Sequence, residues 1–133
     1  PELLGAFLEE VLRYEPPFRG HYRHVLQDTE LGGVALRAGS RLLLMWGAAN
    51  RDPSHFDDPG RFRIDRPDGK GHLTFGRGAH FCVGAALARL ENRIAVEAVL
   101  RCFPRLELAE PASALPWMRS LRSRALTRLP VRL

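Results

Sequence analysis

The chain has 133 residues, of which 45% are hydrophobic, and it carries a net charge of +5. These values suit one compact globular domain and exclude a disordered chain. The basic excess favours acidic partners, meaning nucleic acid, an anionic membrane or an acidic protein, without choosing among them. Residues 42–49 form the longest apolar run, which is too short to span a bilayer, and no signal peptide is visible, so we expect a cytoplasmic chain.

The first predicted element is a helix over residues 2–14, which ends before Pro16-Pro17 because proline disfavours helix in the residue before it. Four apolar residues recur at helical spacing within it: Leu4, Phe7, Leu8 and Val11. The chain opens at Pro1 without an initiator Met, and its apolar pattern has already begun at Leu3. We therefore expect either a fragment of a longer polypeptide or a reading frame that has lost its start.

Strand patterns follow this helix. Residues 22–26, 34–36 and 41–45, with turn signals at Gly32-Gly33 and at residues 37–40, predict a small antiparallel sheet. Asp52-Pro53 has the form of a helix cap followed by proline at the first helical position, which predicts a short helix there. Residues 57–73 are rich in Pro, Gly, Asp and Arg and predict a long irregular loop, a feature that is usually functional.

A second long helix is predicted over residues 83–102, and Pro104 lies beyond its end. The two cysteines, Cys82 and Cys102, flank this helix and lie roughly 30 Å apart along it. Since that separation is far beyond disulfide reach, we expect two independent thiols in a reducing compartment. Apolar residues line one face of the helix: Leu87, Leu90, Ile94 and Val99.

The strongest indication of chemistry is the glycine-rich segment FGRGAHFCVG, residues 75–84. Its glycines let the backbone turn tightly and approach a flat ligand. Cys82 precedes the second helix, whose free N–H groups and dipole favour a thiolate, and a thiolate can hold a soft or borderline metal. Phe75 is placed to pack near the sulfur and shield it from water. The alternative is a buried structural cysteine in a glycine turn.

Other glycine-loop interpretations fail on detail. A phosphate-binding loop needs the pattern GxxxxGK[ST], and no Lys follows Gly84. A dinucleotide fingerprint needs GxGxxG, but the next glycine after Gly76 and Gly78 is Gly84. A zinc site would need more ligands nearby than His80 and Cys82 supply.

The segment resembles the cysteine-loop signature of the cytochrome P450 family, FGxGxHxCxG, at every fixed position. Three further matches occur in the family's order. Residues 10–13, EVLR, resemble its ExxR motif; residues 50–53, followed by PGRF at 59–62, resemble its stretch ending in PxRF; and residues 115–131 resemble the bacterial C-terminus. The resemblance covers essentially the whole chain. It implies a mainly α fold with small antiparallel β-sheets, in which residues 1–133 are the C-terminal haem-binding part of a single domain.

The resemblance also implies roles for individual residues. Cys82 is expected to be the catalytic thiolate and the axial ligand of the iron in haem b, since a thiolate ligand favours cleavage of the O–O bond. Glu10, Arg13 and Arg61 are expected to form a buried salt-bridged triad that supports the loop below the haem. The alternative is a surface Glu–Arg pair of little energetic weight.

Arg23 and His80 match positions that hold the haem propionates in this family, and the planar guanidinium of an arginine suits a carboxylate well. Together with Cys82 they belong to an expected cofactor-binding set that includes loop residues Phe75, Gly76, Gly78 and Gly84. Weaker matches place a substrate pocket at Pro17, Phe18 and Leu121. Others place a face for an acidic redox partner at Arg77, Arg89 and Arg93. Plain core packing and a solvated helix face are the respective alternatives.

The implied function is a haem-thiolate monooxygenase that inserts one oxygen atom from O2 into a small organic substrate. Electrons would come from NAD(P)H through a ferredoxin or a flavoprotein reductase, with no nucleic-acid or membrane partner. The family's acid–alcohol helix and distal helices have no counterpart in these 133 residues. Three alternatives stay open: an inactive truncated remnant, a thiolate-haem protein with peroxygenase or isomerase chemistry, and a basic module that binds nucleic acid through the arginines of the tail.

Overall fold

The computed structural model describes residues 2–67 and 69–133. Three helices are present, α1 (Leu4–Tyr14), α2 (Trp46–Ala49) and α3 (Ala85–Cys102). Six short strands accompany them: β1 (His21–His24), β2 (Thr29–Leu31), β3 (Val34–Leu36), β4 (Arg41–Leu44), β5 (Glu107–Leu108) and β6 (Val131–Arg132). This combination confirms the predicted fold class of helices with small antiparallel sheets. None of the helices in the described residues is long and apolar enough to cross a membrane.

The strands pair in three separate two-stranded antiparallel sheets, β1 with β4, β2 with β3, and β5 with β6. The prediction of one sheet over residues 22–45 was therefore wrong in its pairing. Tyr22 lies opposite Leu43 in the first sheet, whereas β2 and β3 form their own hairpin. Gly32 and Gly33 connect that hairpin with φ angles of 56° and 79°, a left-handed conformation that glycine adopts without steric cost.

The two long helices begin later than predicted, and the short helix lies at a different place in the chain. α1 begins at Leu4 and α3 at Ala85, each two residues later than predicted. The short helix predicted at Asp52-Pro53 is absent, and α2 lies upstream of it. The Asp52 carboxylate accepts hydrogen bonds from the Ser54 backbone N–H and hydroxyl. The backbone N–H groups of His55 and Phe56 donate to the Asp52 carbonyl, but no helix continues beyond this turn, and Asp58 has a positive φ of 43° that is incompatible with a helix.

Polar side chains occupy the centre of the structure. The largest fully buried side chains are Arg13, Glu10 and Asn50. The buried apolar residues are few and dispersed: Leu4, Leu12, Val25, Phe56 and Ala85. Hydrogen bonds and ion pairs, more than apolar packing, therefore hold α1 against the segments that follow it.

The surface of the chain is unusually large. Its accessible area is 10023 Å², whereas a compact monomer of this length exposes roughly 7,000 Å². Much of the excess is apolar, because the predicted apolar face of α3 lies in solvent: Leu87, Leu90 and Ile94 are each more than half exposed. An exposed apolar patch of this kind indicates a surface that other protein normally covers.

Two glycines offer a matched test of this packing. A Cβ added at buried Gly20 would lie 2.6 Å from the Leu44 carbonyl oxygen, whereas one added at Gly5 in α1 meets nothing within 4 Å. We expect Gly20→Ala to lower the free energy of unfolding by about 1–3 kcal/mol, because the backbone must shift. Gly5→Ala should raise it by about 0.5–1 kcal/mol, because alanine favours the helix. Urea unfolding of both variants measures this difference, and an unchanged stability for Gly20→Ala would contradict the close approach.

Candidate functional site

The guanidinium of Arg13 is the centre from which the site is built. Its five N–H donors are all used, and the side chain is fully buried. Nε and Nη2 donate to the two carboxylate oxygens of Glu10 at 2.7 and 2.8 Å. The remaining donors reach three backbone carbonyls, those of Asn50 at 2.8 Å, Pro59 at 3.0 Å and Arg61 at 3.1 Å. One side chain thus fixes α1, the end of α2 and the start of the long loop.

Glu10 holds the same loop from the other side. Its Oε1 accepts the Arg63 backbone N–H at 2.7 Å and Arg66 Nε at 3.1 Å, in addition to Arg13. Burial alone would raise the pKa of Glu10, but the hydrogen bonds from Arg13, Arg63 and Arg66 lower it below its ordinary value. Glu10 is therefore a carboxylate inside the protein.

The third member of the predicted triad differs from the expectation. Arg61 is exposed and contributes its backbone carbonyl to Arg13, not its side chain to Glu10. The side chain that reaches Glu10 is Arg66, which is 2% exposed and also donates to the Asp58 and Arg61 carbonyls. The cause is the course of the loop, which carries Arg61 across the outside of the network and returns Arg66 into it. The buried set consists of Glu10, Arg13 and Arg66.

A second set of contacts joins this centre to the cysteine loop, residues 75–84. The amide of buried Asn50 donates to the Arg13 carbonyl at 3.2 Å and to Thr74 Oγ1 at 3.0 Å. Thr74 Oγ1 in turn donates to the Leu12 carbonyl at 2.6 Å, and Asn50 Oδ1 accepts the Leu73 N–H at 2.6 Å. The chain entering the cysteine loop is therefore bonded directly to the last turn of α1.

Glu9, the residue before Glu10, makes a third set of contacts that the sequence analysis missed. Its carboxylate accepts Nε and Nη2 of Arg89 at 2.5 and 2.9 Å and lies 3.1 Å from His72 Nε2. The Arg89 guanidinium lies over the Phe75 ring, 4.6 Å from its centroid. Only the ExxR pattern was available as a guide, and it names the second glutamate alone. Glu9 connects α1 with α3 and with the aromatic residue that opens the cysteine loop.

His72 is a neutral member of this set. The Thr74 N–H donates to its Nδ1 at 3.3 Å, which leaves the proton on Nε2, where it is donated to Glu9. Burial lowers the pKa of His72 below its ordinary value, although Glu9 acts in the opposite direction. Burial would also raise the pKa of Glu9, but Arg89 and His72 together lower it.

The cysteine loop presents its thiol to solvent. Cys82 is exposed, its N–H donates to the Phe75 carbonyl at 2.9 Å, and its carbonyl accepts the first N–H of α3, that of Ala85, at 3.2 Å. Gly76 and Gly78 have φ angles of 73° and 78°, a conformation that disfavours any side chain. Gly84 is the N-cap of α3, and a Cβ added there would lie 3.8 Å from the Cys82 sulfur. The backbone therefore closes tightly behind an accessible sulfur.

Arg23 lies on β1 and is connected to the cysteine loop through two aromatic rings. Its Nη1 donates to His21 Nδ1 at 3.0 Å, and the His21 ring stacks on Trp46 with centroids 5.9 Å apart. Trp46 lies 4.0 Å from the Cβ position of Gly76. His80 is exposed within the same loop, in a short 3-10 turn over Gly78–His80. Arg23 is thus linked to the cysteine loop through His21 and Trp46, and His80 lies within that loop.

The structure brings the two candidate substrate segments together. Phe18 pairs with Ser123 in an antiparallel bridge, and the Arg124 N–H donates to the Pro17 carbonyl at 2.9 Å. Phe18 and Leu121 are both more than half exposed. Residues 17–19 and 121–124 therefore form adjacent edges of one wall.

The three arginines predicted for a partner face have different environments. Arg77 is exposed, and Arg93 is exposed and paired with Glu97 at 2.9 Å. Arg89 differs from the expectation because its guanidinium is taken up by Glu9 and the Phe75 ring. Cys102 is a second exposed thiol, at the far end of α3. Within residues 2–67 and 69–133 no group of three or more His, Cys, Asp and Glu side chains could hold a metal ion.

Comparison with known proteins places this arrangement in a wider context. A family model described as Cytochrome P450 matches residues 2–126. The chain is 60% identical to Cytochrome P450 144 of Mycobacterium tuberculosis over 129 residues, which cover 97% of this chain and 29% of that protein. It is 46% identical over 133 residues to the 6-deoxyerythronolide B hydroxylase of Saccharopolyspora erythraea, covering 100% of this chain and 33% of the relative.

Solved structures show the same similarity in three dimensions. The tirandamycin C-bound P450 monooxygenase TamI matches with a TM-score of 0.94 and 41% sequence identity, over 99% of this chain and 33% of that chain. The chain thus spans about a third of the length of the relatives that it matches.

The finding that Arg66, and not Arg61, contacts Glu10 gives a first prediction for this site. Arg66→Met should lower the free energy of unfolding by about 1–3 kcal/mol, because it removes one donor of the buried Glu10 carboxylate and the hydrogen bonds to the Asp58 and Arg61 carbonyls. Arg61→Met keeps the backbone carbonyl and should change stability by less than about 0.5 kcal/mol. Chemical denaturation of the two variants decides the assignment, and equal losses would refute it.

The neutral state of His72 gives a second prediction. Because its folded-state pKa lies below the ordinary value of about 6.5, the unfolded chain binds more protons than the folded chain at mildly acidic pH. The free energy of unfolding should therefore fall as pH decreases from about 7.5 to about 5, above the range in which carboxylates titrate. His72→Gln should flatten this dependence, and His24→Gln, at an exposed position, should not. A slope that His72→Gln leaves intact would show that another group is responsible.

Proposed function

The chain belongs to the cytochrome P450 family, and we propose on this basis that it forms the haem-binding part of a haem-thiolate monooxygenase. Cys82 is proposed to supply the thiolate that would bind the haem iron. The observation that carries the proposal is an exposed cysteine sulfur, placed before the first turn of α3 by a glycine loop that a buried ionic network anchors. Residues 1–133 are then the C-terminal part of one larger domain, which agrees with the excess surface area of the chain.

The residues present fit a haem group. The accessible thiol of Cys82 supplies one soft donor, which is the donor that a metal already held by a macrocycle requires. Gly76 and Gly78 carry no side chains that would obstruct a flat ligand, and their left-handed conformation keeps the loop close behind the sulfur. When bound, haem supplies the activation of O2, which a thiolate ligand favours. Phe75 and Phe81 lie in the same loop with ring centroids 6.4 Å apart, and Phe75 is proposed to pack near the bound sulfur.

Two cationic or polar side chains are proposed to hold the propionates. Arg23 presents a planar fork of N–H donors, and its contact with His21 ties it to Trp46 at the cysteine loop. His80 is exposed in the loop itself and supplies a ring N–H. Their role is binding and orientation of the cofactor.

The substrate is proposed to be a small organic molecule that lies against the wall formed by residues 17–19 and 121–124. The exposed side chains of Phe18 and Leu121 give this wall an apolar character, and Pro17 fixes its backbone. The 6-deoxyerythronolide B hydroxylase is named for its own substrate, and the TamI structure contains bound tirandamycin C. The identity of this chain's substrate is proposed to depend on pocket residues outside these 133.

Electrons are proposed to come from NAD(P)H through a ferredoxin or a flavoprotein reductase. An acidic partner suits Arg77 and Arg93, which are exposed on the loop and on α3. Opposite charges would accelerate encounter and fix the orientation of the complex. Arg89 is left out of this surface because its guanidinium is held between the buried carboxylate of Glu9 and the Phe75 ring.

The ligand assignment is tested with the intact protein, meaning the longest reading frame that contains this chain. Ferrous haem with CO bound trans to a thiolate has a strongly red-shifted Soret band, so the unsubstituted protein should show that band. Cys82→Ser should abolish it, because an alcohol does not supply a thiolate. Cys102→Ser is the matched control and should retain it, since Cys102 lies at the opposite end of α3. A red-shifted band that survives in Cys82→Ser would overturn the assignment.

A further inference from the structure

We propose that the Glu9–Arg89 ion pair controls the electrostatic environment of the Cys82 thiolate, with Arg89 acting as a positioning residue through Phe75. The proposal rests on the proposed function, since it concerns a haem iron bound to Cys82. It assigns Arg89 an internal role in place of partner docking, and it assigns a role to Glu9, which no sequence motif singled out.

Arg89 is held on two sides by residues of different elements. The carboxylate of Glu9 makes two hydrogen bonds to its guanidinium, at 2.5 and 2.9 Å, and Glu9 itself is only 8% exposed. The other side of the guanidinium faces the Phe75 ring at 4.6 Å. The cation is therefore held between an anion on α1 and an aromatic ring of the cysteine loop, and it has one fixed position.

Arg89 is close to Cys82 through two backbone hydrogen bonds. The ring of Phe75 lies under the guanidinium, and the backbone carbonyl of Phe75 accepts a hydrogen bond from the Cys82 N–H at 2.9 Å. Arg89 lies one turn into α3, about 6 Å along the helix axis from Ala85, whose N–H donates to the Cys82 carbonyl. Partly buried charges at such short range are weakly screened by salt.

The charges of Glu9 and Arg89 balance each other. His72, the other partner of Glu9, is neutral, because its Nδ1 accepts the Thr74 N–H. Glu9 and Arg89 thus cancel as an isolated pair beside the loop. Removal of either member leaves one uncompensated charge, and the sign of that charge depends on which member is removed.

The opposite signs define the experiment. We expect Glu9→Gln to shift the reduction potential of the haem iron to more positive values, because the remaining cation favours the reduced state with its additional electron. Arg89→Gln should shift it to more negative values, because the remaining anion disfavours that state. The double variant should lie between the two. Spectroelectrochemical titration of the intact protein, without substrate, measures these potentials.

Two variants separate this charge effect from damage to the fold. Arg89→Lys keeps the cation and should remain closer to the unsubstituted protein than Arg89→Gln does, a comparison that stands even where Glu9→Gln loses haem. Glu97→Gln removes an equivalent carboxylate from the exposed Arg93 pair on α3 and should leave the potential unchanged. Thermal unfolding of each variant records any loss of stability separately.

Shifts of the same sign for Glu9→Gln and Arg89→Gln, or equal shifts for Arg89→Lys and Arg89→Gln, would reduce the pair to a structural tether and overturn the proposal. Failure of the proposed function is recognised independently. In that case the unsubstituted protein lacks the red-shifted ferrous–CO band before any variant is measured.

Discussion

A guanidinium without contact with water governs this structure. An arginine in that position is tolerated only when each of its donors has an acceptor, because an unpaired buried charge costs several kcal/mol. Arg13 finds its acceptors in one carboxylate and three backbone carbonyls that lie up to 48 residues away in the chain. The end of α2 and the first half of the long loop must therefore come to α1. The rings of Phe56 and Tyr14, 5.4 and 5.7 Å from the guanidinium carbon, close the remaining approaches.

The two adjacent glutamates of α1 bind different parts of the chain. Consecutive residues of a helix point about 100° apart, so Glu9 and Glu10 serve different neighbours. Glu10 faces the long loop and gathers Arg13 and Arg66, whereas Glu9 faces α3 and gathers Arg89 and His72. The cysteine loop is fastened at both ends by this division. Its entry is held by Thr74 and Asn50, and its exit into α3 is held by Arg89.

The sequence predicted the parts of the site that depend on local spacing. The glycines of the cysteine loop, the position of Cys82 before a helix, and a Glu–Arg pair at i and i+3 are each encoded within a short local segment of the chain. The sequence did not predict which arginine of the long loop would reach Glu10. The course of that loop includes a positive φ at Asp58 and follows no periodic pattern. The contacts of Glu9 were also out of reach, since its partners lie 63 and 80 residues further along the chain. The short helix predicted at Asp52-Pro53 failed for a local reason. The Asp52 carboxylate caps a single turn there, and no helix follows that turn.

The polar character of the centre has a thermodynamic consequence. The heat capacity of unfolding rises with the apolar surface that is newly exposed to water and falls with the polar surface. This chain buries few apolar side chains and leaves Leu87, Leu90 and Ile94 of α3 already hydrated. Its unfolding should therefore carry a small heat-capacity change for its length, and its stability curve should be shallow, with little variation between cold and warm conditions. Covering the α3 face with further protein would restore the curvature that is usual for a globular domain.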